Sequence, residues 1–151
     1  MRVERLEAIP YSLPFREPYV TARGRLTERD LLAVRVEADG LVGWGETASL
    51  SLRGGAPVTV LARQLTEVCL PALEESPFDP GRIWSSLARC RSRGATAPAL
   101  AALDIALHDL AGKAAGQPVW KVLGAAAAAP VTCNATLPAA NPATLSLAGT
   151  R

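Results

Sequence analysis

The fold is decided by the stretch Ala101-Ala102-Leu103-Asp104-Ile105-Ala106-Leu107-His108-Asp109-Leu110-Ala111-Gly112-Lys113. Its leucines recur at helical spacing, and alanines fill most of the remaining positions. We predict a helix over residues 96–115, with Gly116 as its C-cap. Because this helix is apolar on most sides, it must be buried against more than one neighbour.

Three strands are predicted ahead of the helices. Alternating apolar residues predict strands over residues 3–13, 31–38 and 41–46. Asp39-Gly40 lies between the second and third strands and predicts a tight hairpin, because both turn residues need positive φ. Residues 15–29, which include Pro18 and Gly24, are expected to form an irregular loop.

Two more helices are predicted between the strands and the long apolar helix. One covers residues 58–70 and ends near Pro71, and the other begins at Asp79-Pro80 and ends at Gly94. Strands followed by helices are typical of an α+β domain. We therefore predict a three-stranded antiparallel meander and a bundle of about three helices over residues 1–124. Residues 125–130 are interpreted as an alanine-rich linker, and residues 131–137 as a last strand without a partner in the chain.

Composition excludes several classes of function. A formal net charge of +2, with scattered arginines, does not predict a nucleic-acid surface. Three widely spaced cysteines and one histidine predict neither a zinc site nor a disulfide framework. The N-terminus does not resemble a signal peptide, and no run approaches the ~20 apolar residues of a membrane span. We therefore expect a cytoplasmic protein that has no membrane or nucleic-acid partner.

Two polar loops carry the candidate ligand-binding residues. Both loops are expected to leave the same end of the sheet. Two arginine-bearing loops could close over an anionic substrate, because a guanidinium matches a carboxylate with two parallel hydrogen bonds. The alternative is that these arginines are ordinary charged loop residues that contact solvent and bind no ligand. Gly24 and the pair Gly54-Gly55 would let the loops move as a lid. The candidate residues are Tyr19, Thr21, Arg23, Arg25, Ser49, Leu52 and Arg53.

The other charged residues have structural interpretations. Glu46 is expected to accept hydrogen bonds from loop backbone, since no second acidic residue lies nearby to build a site for a hard cation. Asp104 and His108 lie four residues apart and predict a hydrogen-bonded pair at the edge of the core. Asp109 is expected to cap or to pair with an arginine. We predict no catalytic residue and no metal ligand in this chain.

Several short motifs follow one another along the chain in an order that is typical of one family. They are Phe15-x-x-Pro18-Tyr19, Asp39-Gly40, Gly43-Trp44-Gly45-Glu46, Asp104-x-x-x-His108-Asp109, and Pro118 with Leu123-Gly124. Together they resemble the N-terminal capping domain of the enolase superfamily, in its mandelate racemase/muconate lactonizing enzyme branch. The combination is most similar to the muconate-lactonizing subgroup, which includes muconate cycloisomerases, o-succinylbenzoate synthases and dipeptide epimerases.

This resemblance implies a cap whose loops close the mouth of a β/α barrel and help to choose a small carboxylate substrate. In the family a divalent metal, usually Mg²⁺, stabilises an enolate formed by proton abstraction next to a carboxylate. The Lys-x-Lys pair and the acidic metal ligands lie on later barrel strands, whereas the only lysines here are Lys113 and Lys121. By this resemblance, residues 131–151 begin a truncated barrel, and the chain is inactive without its own barrel domain.

The barrel is also expected to cover part of the apolar surface of the helix over residues 96–115. A free-standing binding module and a non-functional truncated product are the alternatives. The substrate and the oligomeric state, with a homo-oligomer among the options, are left open.

Overall fold

One antiparallel sheet and a layer of helices form the domain. The computed structural model describes residues 1–133. Its sheet has the strand order β1-β2-β3, with β1 at Val3–Thr21, β2 at Gly24–Ala38 and β3 at Leu41–Ala48. Asp39 and Gly40 connect β2 to β3 with φ angles of 50° and 74°, which confirms the predicted turn.

The helices follow the sheet in the chain. They are α1 (Val58–Gln64), α2 (Leu70–Glu74), α3 (Ile83–Ser92), α4 (Ala97–Ala115) and α5 (Val119–Val122). One-turn 3₁₀ helices at Ser51–Arg53 and Pro80–Arg82 precede α1 and α3. The α+β class and the three-stranded meander are confirmed. Gly116 ends α4 in the left-handed conformation, as predicted.

The first hairpin is longer than predicted. We expected residues 15–29 to form an irregular loop, but β1 and β2 stay paired as far as Thr21 and Gly24. Pro14 does not end β1, because β1 is an edge strand and an edge strand tolerates a residue without an N–H. A register shift between Pro14 and Tyr19 absorbs the irregularity. The connection therefore shrinks to a turn at Ala22 and Arg23.

The helix after the second loop also continues past its predicted end. α1 and α2 are joined by a π-helical segment, Leu65–Cys69, and the N–H of Leu70 donates to the carbonyl of Leu65. After this wider turn the α-helical hydrogen bonds begin again with α2, and Pro71 lies in the first turn of α2. A missing N–H is tolerated there, and for that reason Pro71 does not end the helix.

α4 lies directly on the inner face of the sheet. Gly45 of β3 has no room for a side chain, because a Cβ atom there would lie 2.0 Å from the carbonyl oxygen of Ala102. The buried residues of α4 face β2, β3, α1 and α3. We expected a barrel to cover part of this helix. Within residues 1–133, the sheet and the other helices bury most apolar side chains of α4, but Ile105 is 51% exposed, so coverage of part of this helix by a barrel stays a prediction.

Both edges of the sheet are protected against further strand pairing. At the β3 edge, the N–H of Trp44 donates to Asp109 at 2.8 Å, and Lys113 donates to the carbonyl of Val42 at 2.7 Å. Lys113 also bonds Asp109 at 2.7 Å, so the expectation of an arginine partner for Asp109 is wrong. The β1 edge carries prolines at positions 10, 14 and 18, which cannot donate to a neighbouring strand.

Beyond α5, residues 123–133 form no helix or strand. The linker over residues 125–130 and the domain boundaries stay predictions. The predicted strand over residues 131–137 lies outside the described residues from residue 134 onwards. No helix within residues 1–133 is long and apolar enough to cross a membrane.

Candidate functional site

The turn between β1 and β2 and the loop after β3 meet at one end of the sheet. The N–H of Ser49, just after β3, donates to the carbonyl of Asp30 on β2 at 3.0 Å. Leu52 packs on the backbone of Gly24, because a Cβ atom at Gly24 would lie 3.1 Å from Leu52 Cδ2. The two loops predicted from the sequence are therefore in contact.

A cavity of about 510 Å³ lies between the two loops. Six of the seven candidate residues line this cavity, namely Tyr19, Thr21, Arg23, Ser49, Leu52 and Arg53. Arg25 does not, and lines a smaller neighbouring depression of about 220 Å³. Leu26 and Arg29 of β2 line both the cavity and this depression. A role for these residues in choosing a substrate stays a prediction.

Arg29 is the main cavity residue that the sequence did not indicate. Its guanidinium carbon lies 5.5 Å from the centre of the Phe15 ring and 5.7 Å from that of Tyr19. The two rings stack on each other with their centres 5.8 Å apart. The available signal was the four-residue spacing of Phe15 and Tyr19, which can be linked to Arg29 only when residues 15–29 are known to belong to two paired strands. Interpreting residues 15–29 as a loop concealed it.

The charge on the cavity wall is entirely positive. Arg23, Arg29 and Arg53 line it, and no aspartate or glutamate does. None of these three arginines has a carboxylate within 4.0 Å among residues 1–133. Because only positive side chains line the cavity, the electrostatic potential inside it is positive and attracts anions.

The loop after β3 forms a compact turn over residues 50–55. The N–H groups of Arg53 and Gly55 both donate to the carbonyl of Leu50, at 2.7 and 3.1 Å. Gly54 has a φ of 72°, which favours glycine at this position. The backbone hydrogen bonds hold Ser51 and Arg53 in one short 3₁₀ helix at the cavity wall. Movement of the loops as a lid stays a prediction.

Glu46 has a different partner from the one predicted. We expected loop backbone to donate to it, but the hydroxyl of Tyr11 donates to Glu46 at 2.5 Å. The reason is the register of the sheet, in which Tyr11 of β1 pairs with Leu31 and Glu46 of β3 pairs with Ala33, so the two side chains meet across β2. The hydrogen bond to the Glu46 carboxylate raises the pKa of Tyr11 above its usual 10.0. The pair is exposed and lies outside the cavity lining.

Other reactive side chains lie away from the cavity. His108 Nδ1 is 2.9 Å from Asp104 Oδ1, which confirms the predicted pair on α4. Cys69 and Cys90 are fully buried, and a hydrogen bond with the Cys90 thiol together with burial raises the pKa of the Cys69 thiol. Within residues 1–133, no group of three or more His, Cys, Asp or Glu side chains is arranged to hold a metal ion. The described residues therefore do not fit a Mg²⁺ site.

Comparison with known proteins gives one consistent family. The family model described as mandelate racemase/muconate lactonizing enzyme, N-terminal domain, matches residues 6–124. A hydrophobic dipeptide epimerase from Roseobacter litoralis is 33% identical over 117 residues, which cover 78% of this chain and 32% of that enzyme. An N-succinylamino acid racemase from Thermus thermophilus is 35% identical over 127 residues, with coverage of 82% and 34%.

Solved structures agree with the sequence relatives. The crystal structure of an N-succinyl Arg/Lys racemase from Bacillus cereus superposes with a TM-score of 0.73 at 27% identity, over 81% of this chain and 33% of that one. The chain spans about a third of the length of the curated relatives it matches.

Proposed function

The chain belongs to the mandelate racemase/muconate lactonizing enzyme family, and we propose that it is the substrate-specificity cap of a metal-dependent enzyme. The whole enzyme would be of the cycloisomerase, o-succinylbenzoate synthase or dipeptide epimerase type. It would abstract a proton from the carbon next to a carboxylate. The cavity between the two loops carries this proposal, because it is a concave site whose lining within residues 1–133 has arginine and hydroxyl side chains but no acidic, histidine or cysteine side chain.

The division of labour follows from which groups line the cavity. Arginine, serine, threonine and tyrosine side chains can bind and orient a ligand. A base of suitable pKa and a metal site are needed for the chemistry, and residues 1–133 present neither at this cavity. We therefore assign binding and selection to this chain, and assign proton transfer and Mg²⁺ to a barrel domain.

The names of the relatives support selection by the cap. They describe hydrophobic dipeptides, N-succinylamino acids and N-succinyl Arg/Lys as substrates of related enzymes. Dipeptides and N-succinylamino acids all carry a carboxylate and differ in the rest of the molecule. A cavity formed by two loops is a suitable place to bind the part that differs.

A second candidate function is a free-standing binding module. One observation favours it: the core of α4 is enclosed by the sheet and helices of the domain itself, which would let the domain fold without a barrel. The two candidates differ in whether a barrel is required for any activity.

A domain exchange tests the cap proposal. Residues 1–124 would replace the N-terminal domain of the Roseobacter litoralis epimerase, and incorporation of deuterium next to the substrate carboxylate would be followed in D₂O with Mg²⁺. We expect exchange on a panel of dipeptides and N-acylamino acids, with an order of preference that differs from that of the parent enzyme.

The matched control carries the N-terminal domain of the Thermus thermophilus racemase on the same barrel. If that control is active while the folded chimera with residues 1–124 is inactive, the cap proposal is wrong. It is also wrong if the chimera keeps the parent order of preference.

A further inference from the structure

We propose that Cys69 and Cys90 are a modification site, at which a small disulfide such as oxidised glutathione converts the two thiols into a disulfide that joins the π-helical segment to α3. The proposal concerns the helical layer and does not rest on the proposed function. The wide spacing of the cysteines in the sequence predicts no disulfide framework, but the fold brings two of them together.

The first observation is the contact of two thiols from separate elements. Cys69 ends the π-helical segment Leu65–Cys69, and Cys90 lies in α3. They are 21 positions apart in the sequence, yet Cys90 Sγ lies 3.8 Å from the carbonyl oxygen of Cys69. Both thiols are free, and they hydrogen-bond each other. A disulfide needs Cβ atoms about 3.5–4.5 Å apart, a spacing that thiols in direct contact permit.

The second observation is that polar contacts on both sides of Cys90 hold α3 against α2. Arg89 Nε donates to the carbonyl of Ala72 at 3.3 Å, and Arg93 pairs with Glu75. Both cysteine side chains are fully buried. The folded chain therefore keeps the thiols together, whereas in the unfolded chain they meet only when the segment between them closes into a loop. Folding should favour the disulfide for this reason.

The third observation is that the two thiols differ in acidity. The hydrogen bond from the Cys69 thiol lowers the pKa of Cys90 against the opposing effect of burial, and the charges of Arg89 and Arg93 lower it further. The same hydrogen bond, together with burial, raises the pKa of Cys69. Because the thiolate is the nucleophile, Cys90 is the thiol that attacks first, and Cys69 completes the disulfide.

The reaction uses one molecule of oxidised glutathione. The Cys90 thiolate attacks one sulfur of the glutathione disulfide, whose S–S bond breaks, and one glutathione thiolate leaves. Cys69 then loses its proton to water and attacks Cys90 Sγ, which displaces the second glutathione thiolate. The two protein thiols lose two electrons and two protons, and the oxidised glutathione is reduced to two molecules of glutathione. Since both thiols are buried, this exchange requires α3 to open locally or the chain to be folding.

Refolding in a glutathione buffer tests the proposal without access to the buried thiols being a barrier. The full chain would carry Cys133→Ser, which removes the exposed third thiol. It would be unfolded in urea, diluted into a mixture of oxidised and reduced glutathione, quenched with acid and alkylated. Mass spectrometry of the digested chain then gives the ratio of linked to free Cys69 and Cys90. The same chain kept in urea with the same glutathione mixture is the matched reference.

We expect the ratio of linked to free thiols to be at least tenfold higher in the folded chain than in urea. The linked chain should also unfold at a urea concentration higher by roughly 1 M or more than the reduced chain, because the disulfide restricts the unfolded state. Cys69→Ala with Cys133 retained is the control. It leaves Cys90 and Cys133, and folding should not enrich a disulfide between them. Circular dichroism reports whether each chain is folded.

Three results would overturn the proposal: equal ratios in the folded chain and in urea, a linked chain no more stable than the reduced chain, or enrichment of the Cys90–Cys133 disulfide in the control. Every described residue that lines the loop cavity lies between positions 19 and 53. Failure of this test would therefore leave the cap function in place, and an inactive chimera would leave the disulfide site in place.

Discussion

Replacement of Gly45 by alanine tests the contact on which the domain is built, that of α4 with β3. The new Cβ atom would lie 2.0 Å from the carbonyl oxygen of Ala102 and 2.9 Å from the backbone nitrogen of Ala106. Ordinary contacts of a Cβ atom begin near 3.4 Å. The helix would therefore have to retreat by roughly 1.4 Å, because both opposing atoms are backbone and cannot rotate away.

The energetic cost can be estimated from this displacement. Overpacking of a well-packed core costs about 1–3 kcal/mol, and a clash with helix backbone belongs at the upper end of that range. The loss of chain entropy on replacing glycine returns about 0.4–1 kcal/mol. We therefore expect a net loss of about 2–3 kcal/mol in the free energy of unfolding. With a urea m-value of about 1–3 kcal/mol/M, the midpoint should fall by at least about 0.7 M.

Urea unfolding followed by tryptophan fluorescence measures this change, since Trp44 lies on β3 next to the substituted residue. Gly81→Ala is the matched control: its Cβ atom would meet only a side-chain oxygen, Asp79 Oδ1, at 3.3 Å. That control should stay within about 0.5 kcal/mol of the wild type. A Gly45→Ala chain as stable as the wild type would refute the close approach of α4 to β3.

Three further changes test the outer face of the sheet, its edge and its core. Glu46→Gln should lower the pKa of Tyr11 towards 10.0. In the wild type the hydrogen bond contributes to the stability of the folded chain below pH 10.0, and this contribution is lost as the pH rises through the raised pKa of Tyr11. Ultraviolet absorbance of tyrosinate follows this, and an unchanged titration would argue against the contact. Asp109→Ala should cost about 1 kcal/mol and speed hydrogen exchange at the Trp44 amide, while Asp109→Asn, which keeps an acceptor, should have the smaller effect. Identical exchange in both variants and the wild type would contradict the edge contact. Leu107→Ala, at a fully buried position, should cost about 2–5 kcal/mol in urea unfolding, and a loss below about 1 kcal/mol would place Leu107 outside the core.

The regular elements could be predicted because their signals are local. Helical spacing of leucines with Gly116 as a C-cap predicts α4, and Asp39-Gly40 predicts the turn between β2 and β3. The loop residues were also predicted to meet, since two connections at one end of a meander have to be neighbours. In each case the information lies within a few residues or follows from strand order alone.

The remaining features depend on contacts between distant segments. The sequence predicts that Pro14 and Pro71 end their elements, but neither does, because an edge strand and a π-helical turn tolerate a residue without an N–H. The partners of Glu46 and Asp109 come from other strands and helices. Arg29 was missed for the same reason: its aromatic neighbours are brought to it only by the long pairing of β1 with β2.

The most direct test of the account is the activity of the purified 151-residue chain on its own, compared with the same chain fused to a family barrel. Deuterium incorporation next to the substrate carboxylate would be followed by NMR with Mg²⁺ present, using dipeptides and N-succinylamino acids. We predict no exchange above the uncatalysed rate for the chain alone, and Mg²⁺-dependent exchange once the barrel is attached. Mg²⁺-dependent exchange by the isolated chain, or a folded fusion without exchange, would contradict it.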